Sequence, residues 1–422
     1  MAEIGDILCG LDIGTTKIAA IIGEYTGSGI EILGVGTHRS DGLRQGVVVN
    51  IEATTKSIAA AVQEAEQMAD ARVETVYVGI AGGHIQGFRS TGQVSMRNRE
   101  VTEADVARVL EQAKAVNIPL DRQILHTIPI EYIIDGQGQI RDPIGMSGVR
   151  MEVRAHVITA AVTSVQNIVK CCNRADLHVQ EVVLEPIASS LAVLHEDEMD
   201  LGVALIDMGG GTTDIAVYHE GSDVFTSVLV MGGQRITQDV AHGLRTSVAE
   251  AERIKNKHGC ALARLVGDEE VIEVPGVGPR PPREYKRRFL AEIIEPRVEE
   301  ILLLAHQSLL HSGCADLAAS GVVITGGAAQ LEGICELAED IFRIPVRRGT
   351  PAVGVGGVRV GDGRVCVKDG GFAGMIADPR YATAVGLVLY GAAHEPVEDG
   401  LAYGDDRPGL GRRLTAWMRE LF

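Results

Sequence analysis

The stretch Asp12-Ile13-Gly14-Thr15-Thr16-Lys17 decides the fold, because it returns later in the chain as Asp207-Met208-Gly209-Gly210-Gly211-Thr212-Thr213-Asp214. Each copy follows an apolar run, at 7–13 or 203–206, and precedes another, at 18–22 or 215–218. Such a pattern predicts strand, turn and returning strand, and a third run at 30–35 extends the first copy into a β-meander. A repeat of so long a period indicates a duplicated domain rather than a solenoid.

The composition of these turns suits a triphosphate with Mg²⁺. Glycine lets backbone N–H groups approach phosphates closely. Threonine hydroxyls donate to phosphate oxygens, and aspartate carboxylates serve the metal, usually through water. Two turns facing each other form a clamp across a cleft, and since the chain has no G-x-x-x-x-G-K-[ST] stretch, the clamp is not a P-loop. A third glycine turn, after the apolar run at 321–324, strengthens the nucleotide-binding hypothesis.

Composition excludes several other classes. The 422 residues predict two to four folded units, and 45% hydrophobic residues are typical of a globular protein. A net charge of −18 with only 4% aromatic residues excludes a general nucleic-acid binder. The seven cysteines are scattered without a C-x-x-C pair, so we expect no disulfide framework, no zinc ribbon and a reducing cytoplasm. The N-terminus lacks a basic signal-peptide region, and the apolar stretch at 381–393 is too short to cross a bilayer.

Periodicity predicts helices at 51–71, 101–116, 164–175, 182–194, 236–258, 284–312, 331–342 and 381–393, with further strands at 76–80 and 321–324. Thr102 is the expected N-cap of the second helix. The polar, turn-rich segment 84–159 is interpreted as an inserted α+β subdomain. The proline-rich stretch 275–282 should lack regular structure, Pro296 should kink its helix, and 354–363 should form a surface hairpin.

These features resemble the actin-like ATPase superfamily: 12–17 and 207–214 are similar to its two phosphate motifs, 322–328 to its adenosine motif, and 184–190 and 384–391 to its two connecting helices. The resemblance to the FtsA family of bacterial cell-division proteins is closer. It is carried by Gly82-Gly83-His84 and by the segments 126–132, 142–150, 232–234 and 250–255.

The resemblance implies an α/β fold: an actin-like (ribonuclease H-like) duplicated two-domain fold with a central nucleotide cleft and an inserted α+β subdomain. It implies a first domain core at 1–83 and 160–197, the insert at 84–159, a second domain core at 198–231 and 317–393, an outer helical subdomain at 232–316, a linker at 394–407 and an amphipathic membrane helix at 408–422.

Site roles follow from the same resemblance. Asp12 and Asp207 would sit near hydrated Mg²⁺, and ATP phosphates would be held by Gly14, Thr15, Thr16, Lys17, Gly209, Gly210, Gly211 and Thr212. Glu252 and Lys255 would reach the ribose and adenine, and Gly326 and Gly327 would pass beneath the base. Glu185 occupies the position that orients the attacking water in hydrolysing relatives, with capping of its own helix as the alternative. The resemblance implies slow hydrolysis at best.

The C-terminal segment carries a single apolar helical stripe with arginines on its other faces. Its expected membrane-facing residues are Leu410, Arg412, Arg413, Leu414, Trp417, Met418, Leu421 and Phe422. Thirteen helical residues are too short to span a bilayer, so the helix should lie in the interface of an anionic membrane. The alternative is a helix that packs on its own protein.

In the FtsA family the outer helical subdomain binds the C-terminal peptide of FtsZ, and Lys286, Arg287, Arg288 and Arg297 are the basic residues expected to do so here. The predicted function is that of an ATP-binding filament former that anchors the FtsZ ring at the cytoplasmic face of the membrane and recruits other division proteins through the insert. A pilus-assembly actin homologue and a sugar or acetate kinase of the same superfamily remain as alternatives.

Overall fold

A computed structural model of the chain describes residues 3–96, 100–278, 280–360 and 363–394. The first part of the chain forms β1 (Ile7–Ile13), β2 (Lys17–Tyr25), β3 (Ile30–Arg39), the short β4 (Leu43–Arg44) and β5 (Val47–Val48), α1 (Ile51–Ala69) and β6 (Thr75–Ile80). The chain returns to this part through α3 (Val162–Arg174), β11 (His178–Leu184) and α4 (Glu185–Val193) after the insert described next.

The insert consists of β7 (Gln86–Ser95), α2 (Glu103–Lys114), β8 (Arg122–Ile134), β9 (Gln137–Ile140) and β10 (Arg150–Ala161). Its strands form one antiparallel sheet in the order β7-β10-β8-β9, and α2 packs against it around a core of its own. Thr102 caps α2 as expected, because its hydroxyl accepts from the Asp105 N–H while the Asp105 carboxylate accepts from the Thr102 N–H. The inserted α+β subdomain is therefore present.

The second half contains α5 (Glu196–Leu201), β12 (Val203–Met208), β13 (Thr213–His219), β14 (Ser222–Leu229), β17 (Val322–Thr325), α9 (Ile334–Phe342), β18 (Val346–Arg348), the hairpin β19 (Val358–Val360) and β20 (Gly363–Val365), and α10 (Ala382–Ala393). An outer subdomain lies between β14 and β17. It is formed by α6 (Gly233–Leu244), α7 (Val248–His258), β15 (Val271–Val274), β16 (Arg283–Lys286) and α8 (Arg287–Ser312).

The two central sheets repeat one topology. The first sheet has the order β11-β6-β1-β2-β3, and the second has the order β18-β17-β12-β13-β14. In each sheet three antiparallel strands continue into two parallel ones. The duplication read from the two Asp-Gly-Thr turns is therefore confirmed, and both turns stand at the same topological position, between the first two strands of their sheet.

Three helix predictions need correction. Residues 182–184 end strand β11, so the helix begins only at Glu185. The predicted helix 236–258 is two helices, because Arg245 adopts a left-handed conformation (φ 54°) and Ser247 caps α7 anew. Residues 284–286 belong to strand β16, which pairs with β15 across the proline-rich loop, and α8 starts at Arg287 with Pro296 inside it.

Candidate nucleotide-binding cleft

The two glycine-threonine turns lie against each other at the base of one cleft. A Cβ atom added to Gly210 would lie 2.7 Å from Thr16 Oγ1, and one added to Gly211 would lie 2.4 Å from Thr15 Oγ1. Glycine is required here by space, because any side chain would force the two turns apart.

A cavity of about 930 Å³ extends from these turns to the outer subdomain. The predicted cofactor residues that line it are Thr15, Thr16, Lys17, Gly209, Gly210, Glu252, Lys255 and Gly327. Asp12, Gly14, Asp207, Gly211, Thr212 and Gly326 belong to the same turns and strand ends without lining the cavity. The structure therefore brings the predicted phosphate, ribose and adenine residues to one cleft, whereas their roles stay predictions.

Four carboxylates converge behind the turns. Asp12, Asp207 and Asp214 are buried, and Glu185 is partly exposed. Burial, followed by the charges of the three aspartates, raises the pKa of Glu185 well above its ordinary value. Burial also raises the pKa of Asp207 to about 6, against the lowering effect of its hydrogen bond from Ser189.

A cation already reaches the edge of this cluster. Lys17 Nζ lies 3.5 Å from Asp12 Oδ2 and donates to the backbone carbonyl of Arg380 at 2.7 Å. Burial nevertheless raises the pKa of Asp12 in spite of this lysine. One partly shared ammonium group does not neutralise four neighbouring carboxylates.

The cluster fits a hydrated Mg²⁺. Asp214 Oδ1 is buried without a hydrogen-bond partner, which a divalent cation with its water shell would supply. Among the described residues, no three His, Cys, Asp or Glu side chains are close enough together to hold a metal ion directly. This donor set suits Mg²⁺, which keeps most of its waters and uses few protein carboxylates.

Glu185 is the first residue of α4, and Leu184 is the N-cap. No side-chain hydrogen bond caps this helix, so the structure shows no capping role for the Glu185 carboxylate. The side chain lies next to Gly79, where an added Cβ would be 3.1 Å from Glu185 Cγ. The water-orienting role of Glu185 stays a prediction.

Lys255 is a buried lysine on the outer-subdomain side of the cavity. Its ammonium lies 2.7 Å from Glu252 Oε2 and donates to Thr237 Oγ1 at 3.0 Å and to the carbonyl of Gly233 at 3.3 Å. Gly233 N–H in turn donates to the Gly209 carbonyl at 2.9 Å. The start of α6 therefore connects the second glycine-threonine turn to Glu252 and Lys255.

The basic residues predicted for partner binding all form ion pairs. Their partners lie within the outer subdomain, except for Glu332, which lies just before α9. The pairs are Lys286 with Glu269, Arg287 with Glu270 and Glu332, Arg288 with Asp268 and Glu292, and Arg297 with Asp239 and Glu300. Lys286 and Arg288 have side chains 54% and 45% exposed, whereas those of Arg287 and Arg297 are only 17% and 28% exposed. Of the four, Lys286 and Arg288 are the more accessible to a partner.

The predicted membrane residues, from Leu410 to Phe422, and nearly all of the predicted linker lie outside the described residues. Over the ranges that are described, the helices include none with both the length and the apolar character needed to cross a bilayer.

Sequence reasoning missed one member of the carboxylate cluster, Asp214, and two hydroxyl residues that contact the cluster. Asp214 closes the second turn, and its place in the repeated motif was a usable signal. Ser189 and Thr383 contact Asp207, but they are 194 positions apart and nothing local marks them.

Comparison with known proteins identifies the family. A model described as "Cell division protein FtsA" matches residues 204–386, and one described as "SHS2 domain inserted in FTSA" matches residues 82–159. The chain is 46% identical to FtsA of Pseudomonas aeruginosa, over 100% of this chain and 99% of that protein. The chain belongs to the FtsA family of cell-division proteins. FtsA of Escherichia coli K12 is 40% identical over 99% of this chain, and FtsA of Bacillus subtilis is 37% identical over 93%.

Solved structures share the FtsA-family fold at low sequence identity. A PilM–PilN type IV pilus biogenesis complex matches 91% of this chain with a TM-score of 0.63 and 17% identity. MreB5 of Spiroplasma citri, solved bound to ADP, matches 82% of this chain with a TM-score of 0.50 and 15% identity. These likenesses confirm the actin-like fold, while the full-length identity to FtsA proteins decides against the pilus-assembly and kinase alternatives.

Proposed function

We propose that the protein binds ATP with Mg²⁺ in the cleft, self-assembles, and anchors the FtsZ ring to the cytoplasmic face of the cell membrane at the division site. In this proposal the segment 408–422 is the amphipathic anchor on anionic lipids, and the insert recruits other division proteins. Membership of the FtsA family supports the cell-division role. The observation that carries the nucleotide proposal is the contact between the two glycine-threonine turns at the mouth of a four-carboxylate cluster.

In this proposal, different residues of the cleft bind the phosphates, the hydrated Mg²⁺ and a water molecule. Backbone amides at the two turns and the Lys17 ammonium would bind phosphate oxygens. Asp12 and Asp207 would orient the water shell of Mg²⁺, and the bound cation would supply the charge that offsets their repulsion. Once that charge is present, Glu185 would ionise more readily and could orient a water molecule.

Nucleotide binding is tested with a fluorescent ATP analogue in the presence of Mg²⁺ and of a chelator. We expect tighter binding with Mg²⁺, and a loss of at least about tenfold in Lys17→Met, because an ammonium–phosphate contact is removed. Lys56→Met is the control, since Lys56 is exposed and pairs with Glu52 on α1, away from the cavity lining. Equal affinity in both variants and the wild type would contradict the assignment of Lys17.

Membrane anchoring is tested by co-sedimentation with anionic vesicles, comparing the full chain with one that ends at Asp406. A single interfacial helix is a marginal anchor, but many on one filament bind strongly through effective concentration. We therefore expect only the full chain to pellet, and Mg-ATP to increase the pelleted fraction. If both chains stay in the supernatant under all conditions, the anchoring proposal is wrong.

Partner binding is tested by fluorescence polarisation with an FtsZ C-terminal peptide. Arg288→Glu should weaken binding without lowering ATP affinity, because the exposed Arg288 suits an acidic peptide. Arg297→Glu is unsuited to this test, because Arg297 Nε lies 2.6 Å from Asp239 Oδ2 on α6 and loss of this ion pair would disturb the subdomain itself. Unchanged peptide binding in Arg288→Glu would remove Arg288 from the proposed surface.

A further inference from the structure

Helices α4 and α10 cross at the centre of the molecule. Helix α4 follows the first sheet in the chain but packs on β12 and β13 of the second, whereas α10 follows the second sheet and packs on β1 and β2 of the first. At the crossing the backbones touch, since a Cβ added to Gly386 would lie 1.7 Å from the Ala188 carbonyl oxygen. The contact between these two helices therefore joins one sheet to the other.

One hydroxyl from each helix reaches the same oxygen of Asp207. Ser189 Oγ donates to Asp207 Oδ2 at 2.5 Å, and Thr383 Oγ1 lies 3.4 Å from the same oxygen and 3.0 Å from Ser189 Oγ. All three residues are buried, with exposures of 0%, 6% and 7% for Ser189, Asp207 and Thr383. The other carboxylate oxygen, Oδ1, faces Gly326, whose added Cβ would lie 2.3 Å from it.

These bonds differ from the usual behaviour of a buried helical serine, which donates to a carbonyl of the preceding turn. The next residue shows that behaviour: Ser190 Oγ donates to the Ile187 carbonyl at 2.7 Å and contacts the Tyr218 hydroxyl at 2.8 Å. Ser189 instead directs its hydroxyl at a carboxylate on another element. A serine hydroxyl that needs only a hydrogen-bond acceptor can find one within its own helix, as Ser190 does.

We propose that Ser189 and Thr383 are positioning residues that hold Oδ2 of Asp207 and leave Oδ1 for the water shell of the nucleotide's Mg²⁺. Because one hydroxyl comes from α4 and the other from α10, the position of this carboxylate in the metal site depends on the crossing of the two helices. The inference rests on the proposed Mg²⁺-nucleotide function of the cleft. Residues that orient a metal-site carboxylate influence metal affinity although they do not touch the metal.

The test measures how much Mg²⁺ tightens binding of a fluorescent ATP analogue to the full chain. In Ser189→Ala and in Thr383→Val, which keeps the side-chain volume, we expect this Mg²⁺-dependent gain to fall by about 10-fold to 100-fold, with little change in affinity in chelator. The conservative Thr383→Ser should retain most of the gain. Ser190→Ala is the matched control and should keep the gain, because its hydroxyl serves Tyr218 and not Asp207.

The outcomes separate the two proposals. If the wild type binds the analogue with Mg²⁺ and both Ser189→Ala and Thr383→Val keep the full gain, this inference is wrong and the nucleotide proposal stands. If the wild type binds no nucleotide in either condition, the proposed function itself fails. Should Ser189→Ala not fold, the comparison of Thr383→Val with Thr383→Ser decides alone.

Discussion

Gly326 and Gly327 are adjacent in the chain but differ in the space available for a side chain. Gly326 has a positive φ of 87° and no room for a Cβ atom beside Asp207, whereas nothing lies within 4 Å of a Cβ added to Gly327. Gly327 lines the cavity, so the space beside it belongs to the cleft and not to the protein core. Packing within the protein therefore does not require glycine at position 327.

Gly327→Ala should leave the melting temperature unchanged and weaken ATP binding by at least about tenfold, or about 1.4 kcal/mol, because the methyl group enters the space predicted for the base. The measurements are thermal unfolding and nucleotide titration. Gly374→Ala is the control, since its added Cβ also meets nothing within 4 Å and Gly374 lies outside the cavity lining. Full ATP affinity in Gly327→Ala would place the base elsewhere.

Glu185 should make the free energy of unfolding fall as pH rises, which is opposite to the trend in ordinary acid denaturation. The folded state raises the pKa of Glu185 well above its ordinary value of 4.5, so above that pH the folded protein holds a proton that the unfolded chain has released. The free energy of unfolding of the nucleotide-free protein therefore contains a contribution that is present at low pH and is lost as pH rises.

Glu185→Gln removes that contribution. Its free energy of unfolding, relative to wild type, should increase as pH rises from about 5 to about 8, as measured by urea denaturation without nucleotide or Mg²⁺. Glu52→Gln is the control, because Lys56 lowers the pKa of this exposed carboxylate below 4.5, so the difference from wild type should be nearly constant over this pH range. A pH-independent difference for Glu185→Gln would mean that burial and the neighbouring aspartates do not raise the pKa of this carboxyl group.

At the scale of elements, the contact between α4 and α10 depends on glycine. Gly386→Ala places a methyl group against the Ala188 carbonyl and should lower the free energy of unfolding by about 1–3 kcal/mol, as overpacking does elsewhere. Gly243→Ala on α6 meets only the flexible end of Ile293, and its higher helix propensity should offset the contact. Chemical denaturation of both variants tests this contrast, and equal losses would contradict it.

Local sequence pattern predicted most of the elements and missed those that depend on distant partners. The repeated turns, the strands beside them and the Thr102 cap of α2 follow from periodicity and turn chemistry within a few residues. The sequence pattern predicts helix for residues 284–286 of strand β16, because Arg283–Lys286 is too short and polar to show alternation. Pairing with β15 makes this segment a strand. Residues 182–184 were assigned to a helix because a buried parallel strand is apolar on both faces.

The same distinction between local patterns and distant partners applies to the candidate site. The two glycine-threonine turns are contiguous motifs, so the residues that meet at the cleft could be named from the sequence. Ser189 and Thr383 act through the crossing of two helices, and a hydroxyl inside an apolar helix carries no local signature of a distant carboxylate.

At the scale of the whole molecule, the insert also contacts the second sheet. His156 Nε2 lies 2.9 Å from Thr226 Oγ1 in a buried contact between β10 and β14, and burial with the nearby Arg89 lowers the pKa of His156 to about 4. A more exposed ion pair joins Arg141 to Asp200 at 2.9 Å. The neutral buried contact should contribute more than the exposed charged one.

Thr226→Val should lower the free energy of unfolding by about 1–2 kcal/mol, because it leaves a buried imidazole unpaired. Asp200→Asn should change it by less than about 1 kcal/mol, because the Arg141 pair is screened by water. Urea denaturation of the two variants compares the contacts directly. A larger loss in Asp200→Asn would reverse this ranking.

Contact between the insert and β14 has a mechanical consequence. The first sheet is joined to the second through the α4–α10 crossing, the second sheet touches the insert through β14, and the insert returns to the first sheet, where the Leu184 N–H donates to His126 Nε2 at 3.0 Å. These parts form a closed linkage and not an open hinge. A rotation of one sheet against the other must either break the β14 contact or move the insert as well. A protein bound to the insert would therefore respond to opening or closure of the cleft without contacting the cleft itself.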